Sequence, residues 1–275
     1  MNRKELDPER SPKAAFGQLL RTLRDECGLT QDELAERTGC SGTHISAVET
    51  GRRPPTRRFA ASVDRALGTG DRLERQSLAV RHTALLEGFP EYVRHEGRAA
   101  EIRSYEVGVV PGLLQTPEYA AVLAESAVQR GAITPDQANE RVMLVAERQA
   151  ALVRTPPPLI LMVLDESCIR RPIGGSAIMD AQLASLVEFA ELPNTVLQVA
   201  QFDMGEHRPF DLPLYILTLP DRQLMSYAES AQRGHLERES TFVLPLLTAY
   251  HQLQAGARSQ ASSVAMISQL RKGTL

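Results

Sequence analysis

The stretch "LTQDELAERTGCSGTHISAVETGRRPP", residues 29–55, contains two helix starts about ten residues apart and closes on an arginine-rich run with two prolines. Thr30 with Glu33 three positions on fits a capping box, and Leu29 with Leu34 fits the hydrophobic staple that sets how a chain enters a helix. A helix is therefore expected from Gln31. Ser41 can cap a second helix in the same way, with Cys40 and Ile45 as the apolar pair and Gly39 ending the helix before it. Only "TGC" is left as a connection. Two helices joined by so short a turn cross steeply, which is the helix-turn-helix geometry that places a second, recognition helix in the DNA major groove.

The flanks extend this reading. Phe16, Leu19, Leu20 and Leu23 recur at helical spacing upstream, and Phe59, Val63, Ala66 and Leu67 do so downstream, where Gly68 stops the helix. The pieces "LTQ", "ELA", "G-x-S", "I-S", "E" and "G-R-R-P" stand together at fixed spacings within residues 29–54. In this the chain resembles the Cro/Xre family of repressor-type DNA-binding domains. The resemblance implies that Gln31 touches a phosphate, that Gly42, Thr43, Ser46 and Ala47 face base edges, and that His44 meets the DNA backbone, with Ser41 at the start of the same helix. Arg52, Arg53, Arg57 and Arg58 follow the recognition helix, where phosphates run and cations add affinity without base choice. None of the base-facing side chains offers the bidentate fork of Arg to guanine or Asn/Gln to adenine. Methyl contacts, hydroxyl bonds, bridging water and DNA shape are left to supply more of the specificity.

Residues 1–70 carry twelve Lys and Arg against ten Asp and Glu, a net of +2, while the whole 275-residue chain stands at −3. That length exceeds one helix-turn-helix module and suits two domains. The charged start "MNRKELDPER" has no apolar signal region, and no stretch approaches the ~20 apolar residues that span a bilayer. The expectation is a soluble, cytoplasmic protein, on the nucleoid when bound to DNA. Cys27, Cys40 and Cys168 are odd in number and lack paired C-x-x-C spacing, which argues against a disulfide framework and against zinc.

Beyond residue 70 the chain reads as mostly helical to about 126, broken at "VVPGLLQT", with a further helix from the Thr134, Pro135, Gln137 start to Val153. The prolines at 156–158 end it, and "LILMVL" follows as a strand-length apolar run. A helix at 179–191, strands near 195–202, 213–219 and 223–228, and helices near 240–254 and 260–271 complete the chain. The expected organisation is an N-terminal tail (1–12), a mainly α helix-turn-helix domain (13–69), a helical connector with the helical part of the large domain (70–155), and an α+β part with a small sheet (156–275). The segments Arg103–Ala120 ("RSYE..VVPGLLQT.EYA") and Val163–Val199 ("VLDES..RRPIGG...M..QL..L.E.A..PN...QV") resemble the uncharacterised C-terminal domain joined to Xre-type domains in actinobacterial regulators, developmental and antitoxin-like ones among them. That resemblance implies a transcriptional regulator whose signal arrives through the large domain, often from a small partner protein encoded nearby; it does not identify the signal.

Catalysis finds no support. "HEGRA" at 95–99 has Ala99 where a zinc-binding H-E-x-x-H needs its second histidine. Asp165 and Glu166 are adjacent and point to opposite faces of a strand, Gly174 and Gly175 lack the rest of a phosphate loop, and Ser167 lacks a nucleophile elbow. No catalytic residue, metal or cofactor is expected. The loop "FDMGEHRPFDLP" (202–213) is either the edge of a binding site, through Glu206, His207 and Arg208, or an ordinary loop packed by Phe202 and Phe210. Tyr105, Leu113, Leu114 and Tyr119 are either core or a partner patch, with core favoured. The chain as a whole is expected to be a repressor acting on a double-stranded DNA operator as a homodimer paired through the large domain; the alternative is an antitoxin-like module that sequesters a small partner. Near-helical spacing of Leu73, Ser77, Val80, Ala84 and Leu85 suggests a helical connection between the domains.

Overall fold

Thr30 adopts extended backbone (φ −73°, ψ 165°), its hydroxyl accepts from the Glu33 N–H, and the Glu33 carboxylate accepts from the Thr30 N–H at 2.7 Å. This reciprocal pair starts helix α2 (Gln31–Thr38), which Gly39 ends in the left-handed region at φ 69°, a conformation that costs glycine nothing. Ser41 accepts from the His44 N–H at 3.2 Å and starts α3 (Gly42–Glu49). These are the two starts expected from the sequence. The structure, a computed structural model, describes residues 12–82, 86, 88–230 and 233–273. The tail before Pro12, Ala84 and Leu85 of the expected helical connection, and the side chains of Arg57 and Val80 lie outside the described residues.

The chain divides into two compact units between Leu85 and Leu86. In the first, α1 (Pro12–Glu26) and α4 (Arg57–Leu67) join α2 and α3 around one core of Phe16, Leu20, Leu23, Leu34, Ile45, Val48, Phe59 and Val63. Thr56 caps α4 and Gly68 ends it at φ 68°. A fifth helix, α5 (Arg72–His82), occupies the stretch expected to start the connector, yet Leu73 is fully buried in the same core. The cause is Asp64 on α4. Its buried carboxylate accepts from the backbone N–H of Leu73 (3.0 Å) and Glu74 (2.8 Å) and from the Thr69 hydroxyl, so it caps α5 from a neighbouring helix. The expected boundary after residue 69 therefore cuts through this unit.

The second unit is built on a six-stranded sheet in the order β3-β2-β1-β4-β5-β6: β1 (Glu101–Glu106), β2 (Leu159–Asp165), β3 (Thr195–Ala200), β4 (Leu214–Thr218), β5 (Leu224–Glu229) and β6 (Gly234–Glu237). β1, β2 and β3 are parallel, and β4, β5 and β6 follow as antiparallel neighbours. The helical reading of 70–155 is corrected at 101–106, where the segment is a central strand paired on both sides. "EIRSYE" is short and polar, and it is strand because β2 and β4 satisfy its backbone. The sequence pattern does not predict β6 either.

One face of the sheet packs Ile102, Met162, Leu164, Leu197, Leu217 and Tyr227 with residues of α6 (Phe89–Glu96), α7 (Pro117–Gln129), α10 (Ser176–Ala190) and α12 (Gln260–Arg271). The other packs Tyr105, Val163, Leu214 and Ile216 against Val243, Tyr250 and Leu253 of α11 (Ser240–Gly256). Two more helices complete the unit: α8 (Pro135–Leu152), started by a Thr134–Gln137 capping box as expected, and the short α9 (Glu166–Arg170). Leu113, Leu114, Tyr105 and Tyr119 are all buried, which makes the 104–120 signature core rather than a partner patch. No helix among the described residues is long and apolar enough to cross a membrane.

If α5 belongs to the first unit, Leu73→Ala destabilises that unit by about 2–5 kcal/mol, as for a core leucine. A fragment of residues 1–85 then melts cooperatively and well above one of residues 1–70. Equal melting temperatures for the two fragments are the contrary result.

Candidate nucleic-acid interface

Helix α3 turns Ile45, Val48 and Glu49 inward and leaves Thr43 exposed, with Ser46 and Ala47 partly exposed on the same side. Thr43, Ser46 and Ala47 follow helical spacing, so they share one stripe. At Gly42 a Cβ would meet the movable end of the Asp32 side chain, so α3 starts beside the first turn of α2. His44 is half-buried and sets its ring edge-on to Phe59 at 4.9 Å, which ties α3 to α4. Its ring is therefore a packing group, whatever else it touches.

The inward carboxylate is the main feature that sequence reading misses. Glu49 is fully buried, and Arg24 from α1 grips it with Nε–Oε1 at 2.6 Å and Nη2–Oε2 at 3.1 Å. Gln31 donates its side-chain N–H to Oε2 at 2.7 Å, and Arg21 stands 3.6 Å from the same oxygen. The hydrogen bond to Glu49 is the main cause that raises the Arg24 pKa, so the guanidinium stays charged. Gln31, whose amide the family resemblance places at a phosphate, has one N–H committed to this cluster. Helix α1 reaches the end of α3 only because residue 17 is glycine: a Cβ there would lie 2.6 Å from the Glu49 carbonyl oxygen and 2.7 Å from that of Val48.

The arginine run begins where α3 ends. The Arg52 and Arg53 backbone N–H groups both donate to the Ala47 carbonyl, at 2.9 and 3.1 Å, closing the helix end. Arg52 Nε donates to the Thr50 hydroxyl at 2.9 Å, and Arg52, Arg53 and Arg58 are exposed. Together with the exposed stripe, they form a surface of small polar and apolar groups bordered by cations.

In the second unit, the four candidate ligand or partner residues separate. Glu206 and His207 lie in a 3-10 turn (Phe202–His207) and are exposed, with the carboxylate 3.8 Å from the imidazole. Tyr105 is fully buried beside Arg208 and Asp165. Burial first, then the Asp165 charge, pushes its pKa up to about 12. Arg208 reaches Asp165 and Asp211, each at 3.3 Å. Phe210 packs 6.0 Å from the Tyr105 ring, so packing by the loop is present as well. In the "HEGRA" segment, Glu96 is buried and holds Arg148 through two bonds of 2.7 and 2.8 Å. Among the described residues, no group of three or more His, Cys, Asp or Glu is placed to hold a metal.

Comparison with known proteins agrees with these two units. Residues 15–78 match a family model described as a helix-turn-helix domain, and residues 89–269 match one described as a domain of unknown function, DUF5753. An uncharacterized HTH-type transcriptional regulator of Methanothermobacter thermautotrophicus is 50% identical over 50 residues, covering 18% of this chain and 72% of that protein. No solved structure matches the chain.

Removing Glu49 strands the Arg24 charge inside the protein, so Glu49→Ala is expected to cost about 3–5 kcal/mol by chemical denaturation of the first unit. Gly17→Ala is expected to cost about 1–3 kcal/mol through the backbone clash with α3. A neutral Glu49→Ala would show that the cluster does not hold α3 in place.

Proposed function

The chain belongs to the DUF5753 family, and because that domain stands here behind a helix-turn-helix domain, we propose that the protein is a sequence-specific DNA-binding transcriptional regulator, a repressor. The observation that carries this reading is the exposed α3 stripe of Thr43, Ser46 and Ala47, backed by the buried Glu49 cluster and bordered by Arg52, Arg53 and Arg58. A rigidly seated helix with small outward side chains can approach base edges closely, and exposed guanidinium groups beyond it meet phosphates. Ser41, Gly42 and His44 set the first turn of that helix, Gln31 braces it from α2, and Arg57 extends the arginine run by its place in the sequence. The name of the relative from Methanothermobacter thermautotrophicus supports the same reading.

One short helix reads a short half-site. Two copies paired through the larger unit would read two half-sites separated by a helical turn or its multiple, about 34–36 Å. We assign the larger unit both this pairing and the reception of a signal, from a ligand or from a small partner protein. A protein with this role acts in the cytoplasm, on the nucleoid.

Arg52→Ala is expected to weaken binding to all sequences alike and to lower the salt slope by about one unit for each phosphate the arginine no longer neutralises, whereas Thr43→Ala changes base preference. Binding-site selection with each variant at several salt concentrations separates the two effects; the reverse assignment would overturn the docking of α3. Sedimentation showing a strict monomer with and without operator DNA would overturn the pairing.

A further inference from the structure

We propose that the cleft between α6 and the β5–β6 hairpin is a binding site for a small primary amine or guanidine, held by the Glu229 carboxylate. The cleft has a volume of about 580 Å³, within the range of small-molecule sites. Gly88 and Glu91 form one wall; Ala228, Glu229, Gly234 and Leu236 contribute the other. Two glycines shape it. A Cβ on Gly88 would lie 2.6 Å from the Gly234 carbonyl oxygen, and a Cβ on Gly234 would overlap the Tyr227 hydroxyl. The two chain segments therefore touch at the base, and the space above carries no side chain from either glycine.

The charge of the site follows from which groups are already paired. Glu229 accepts from the Tyr227 hydroxyl at 2.9 Å, a neutral donor, and among the described residues no cation forms an ion pair with it. Behind it, Tyr227 stacks on Tyr92 at 4.5 Å, and the buried Glu106, whose pKa of about 8 keeps it mostly protonated at neutral pH, accepts from the neutral Tyr215 hydroxyl. Arg148, whose charge acts on Tyr227 and Glu106, is held by Glu96. On the rim, Arg238 pairs with Glu91, and His235 stands 3.6 Å from Glu237. Arg233 and Ser230 also line the cleft and have interactions of their own. The wall of the cleft thus offers one carboxylate, Glu229, supported by a neutral donor.

A cation with N–H donors satisfies that group through charge-assisted hydrogen bonds, which are about twice as strong as neutral ones. A short alkyl stem fits along Leu236. A quaternary ammonium lacks the donors that Glu229 needs. Such binding concerns the larger unit alone and is independent of whether the first unit binds DNA.

The chain has no tryptophan and six tyrosines, so a near-ultraviolet difference spectrum reports on tyrosines, with Tyr227 and its stacked neighbour Tyr92 those nearest the cleft. Agmatine titrated into the full chain is expected to give a saturable tyrosine difference spectrum and calorimetric binding at one molecule per chain, with tetramethylammonium and acetate giving neither. Glu229→Gln is expected to weaken agmatine about tenfold or more, the loss of a charged hydrogen-bond partner. Ser230→Lys, an exposed change that sets a competing ammonium at the mouth, should weaken it as well and serves if Glu229→Gln fails to fold; Glu191→Gln, exposed on another element, should leave it unchanged. No saturable uptake at millimolar agmatine, undiminished binding by the folded Glu229 and Ser230 variants, or uptake of acetate in place of agmatine would overturn the proposal.

Discussion

The first unit depends on one buried ion pair. Arg24 and Glu49 are both shielded from water, and a charge so placed is tolerated only when its partner and its remaining hydrogen bonds are present. Arg24 supplies two N–H groups to Glu49 and a third to the Leu29 carbonyl, and Gln31 supplies another to Glu49. One carboxylate on α3 thereby fixes α1, α2 and the turn that precedes α2. The pair is a weak source of net stability compared with apolar packing of the same volume. Its value lies in specifying one orientation of α3, because any rotation of that helix would pull Glu49 from its donors.

The second unit uses polar interior groups differently. Glu96 and Arg148 neutralise each other, Tyr92 donates to Glu96 at 2.6 Å, and Arg148 lies over the Phe89 ring at 5.2 Å. Glu106 has only a tyrosyl donor, and burial pushes its pKa up to about 8. A carboxyl group with a folded-state pKa above its unfolded value favours the folded state most at low pH. That contribution is lost as pH rises from the ordinary glutamate range through about 8. The interior of the sheet is thus less tolerant of alkaline conditions than the Arg24–Glu49 pair.

Much of this is legible in the sequence because it is local. Thr30 with Glu33, Ser41, Gly39, Gly68 and the Thr134 box act within three or four residues, and each stands where the chain pattern places it. The Glu49 cluster is not legible, since Arg24 and Glu49 are 25 residues apart and no periodicity marks a buried charge pair. Asp64 escapes notice for the same reason: it caps a helix other than its own. β1 is hidden because Glu101, Arg103 and Glu106 give it little apolar alternation, and its strand state is decided by partners far along the chain. Of the candidate residues in the second unit, Tyr105 and Arg208 are near each other through the register of β1 and the return of the 202–213 loop, a proximity that spacing alone does not encode.

The position of β1 has a consequence for synthesis of the chain. Glu101 pairs with Leu159 on one side and Thr218 on the other, so a strand emerging early from the ribosome has no neighbour until much later residues follow. The helices of the first unit make mostly local contacts and can be complete by then, whereas the sheet closes only after β4 has appeared. Meanwhile "EIRSYE" carries unpaired backbone, and its three charged side chains keep that exposed edge from pairing with other nascent chains. The polarity that disguises this strand is what protects it while it waits.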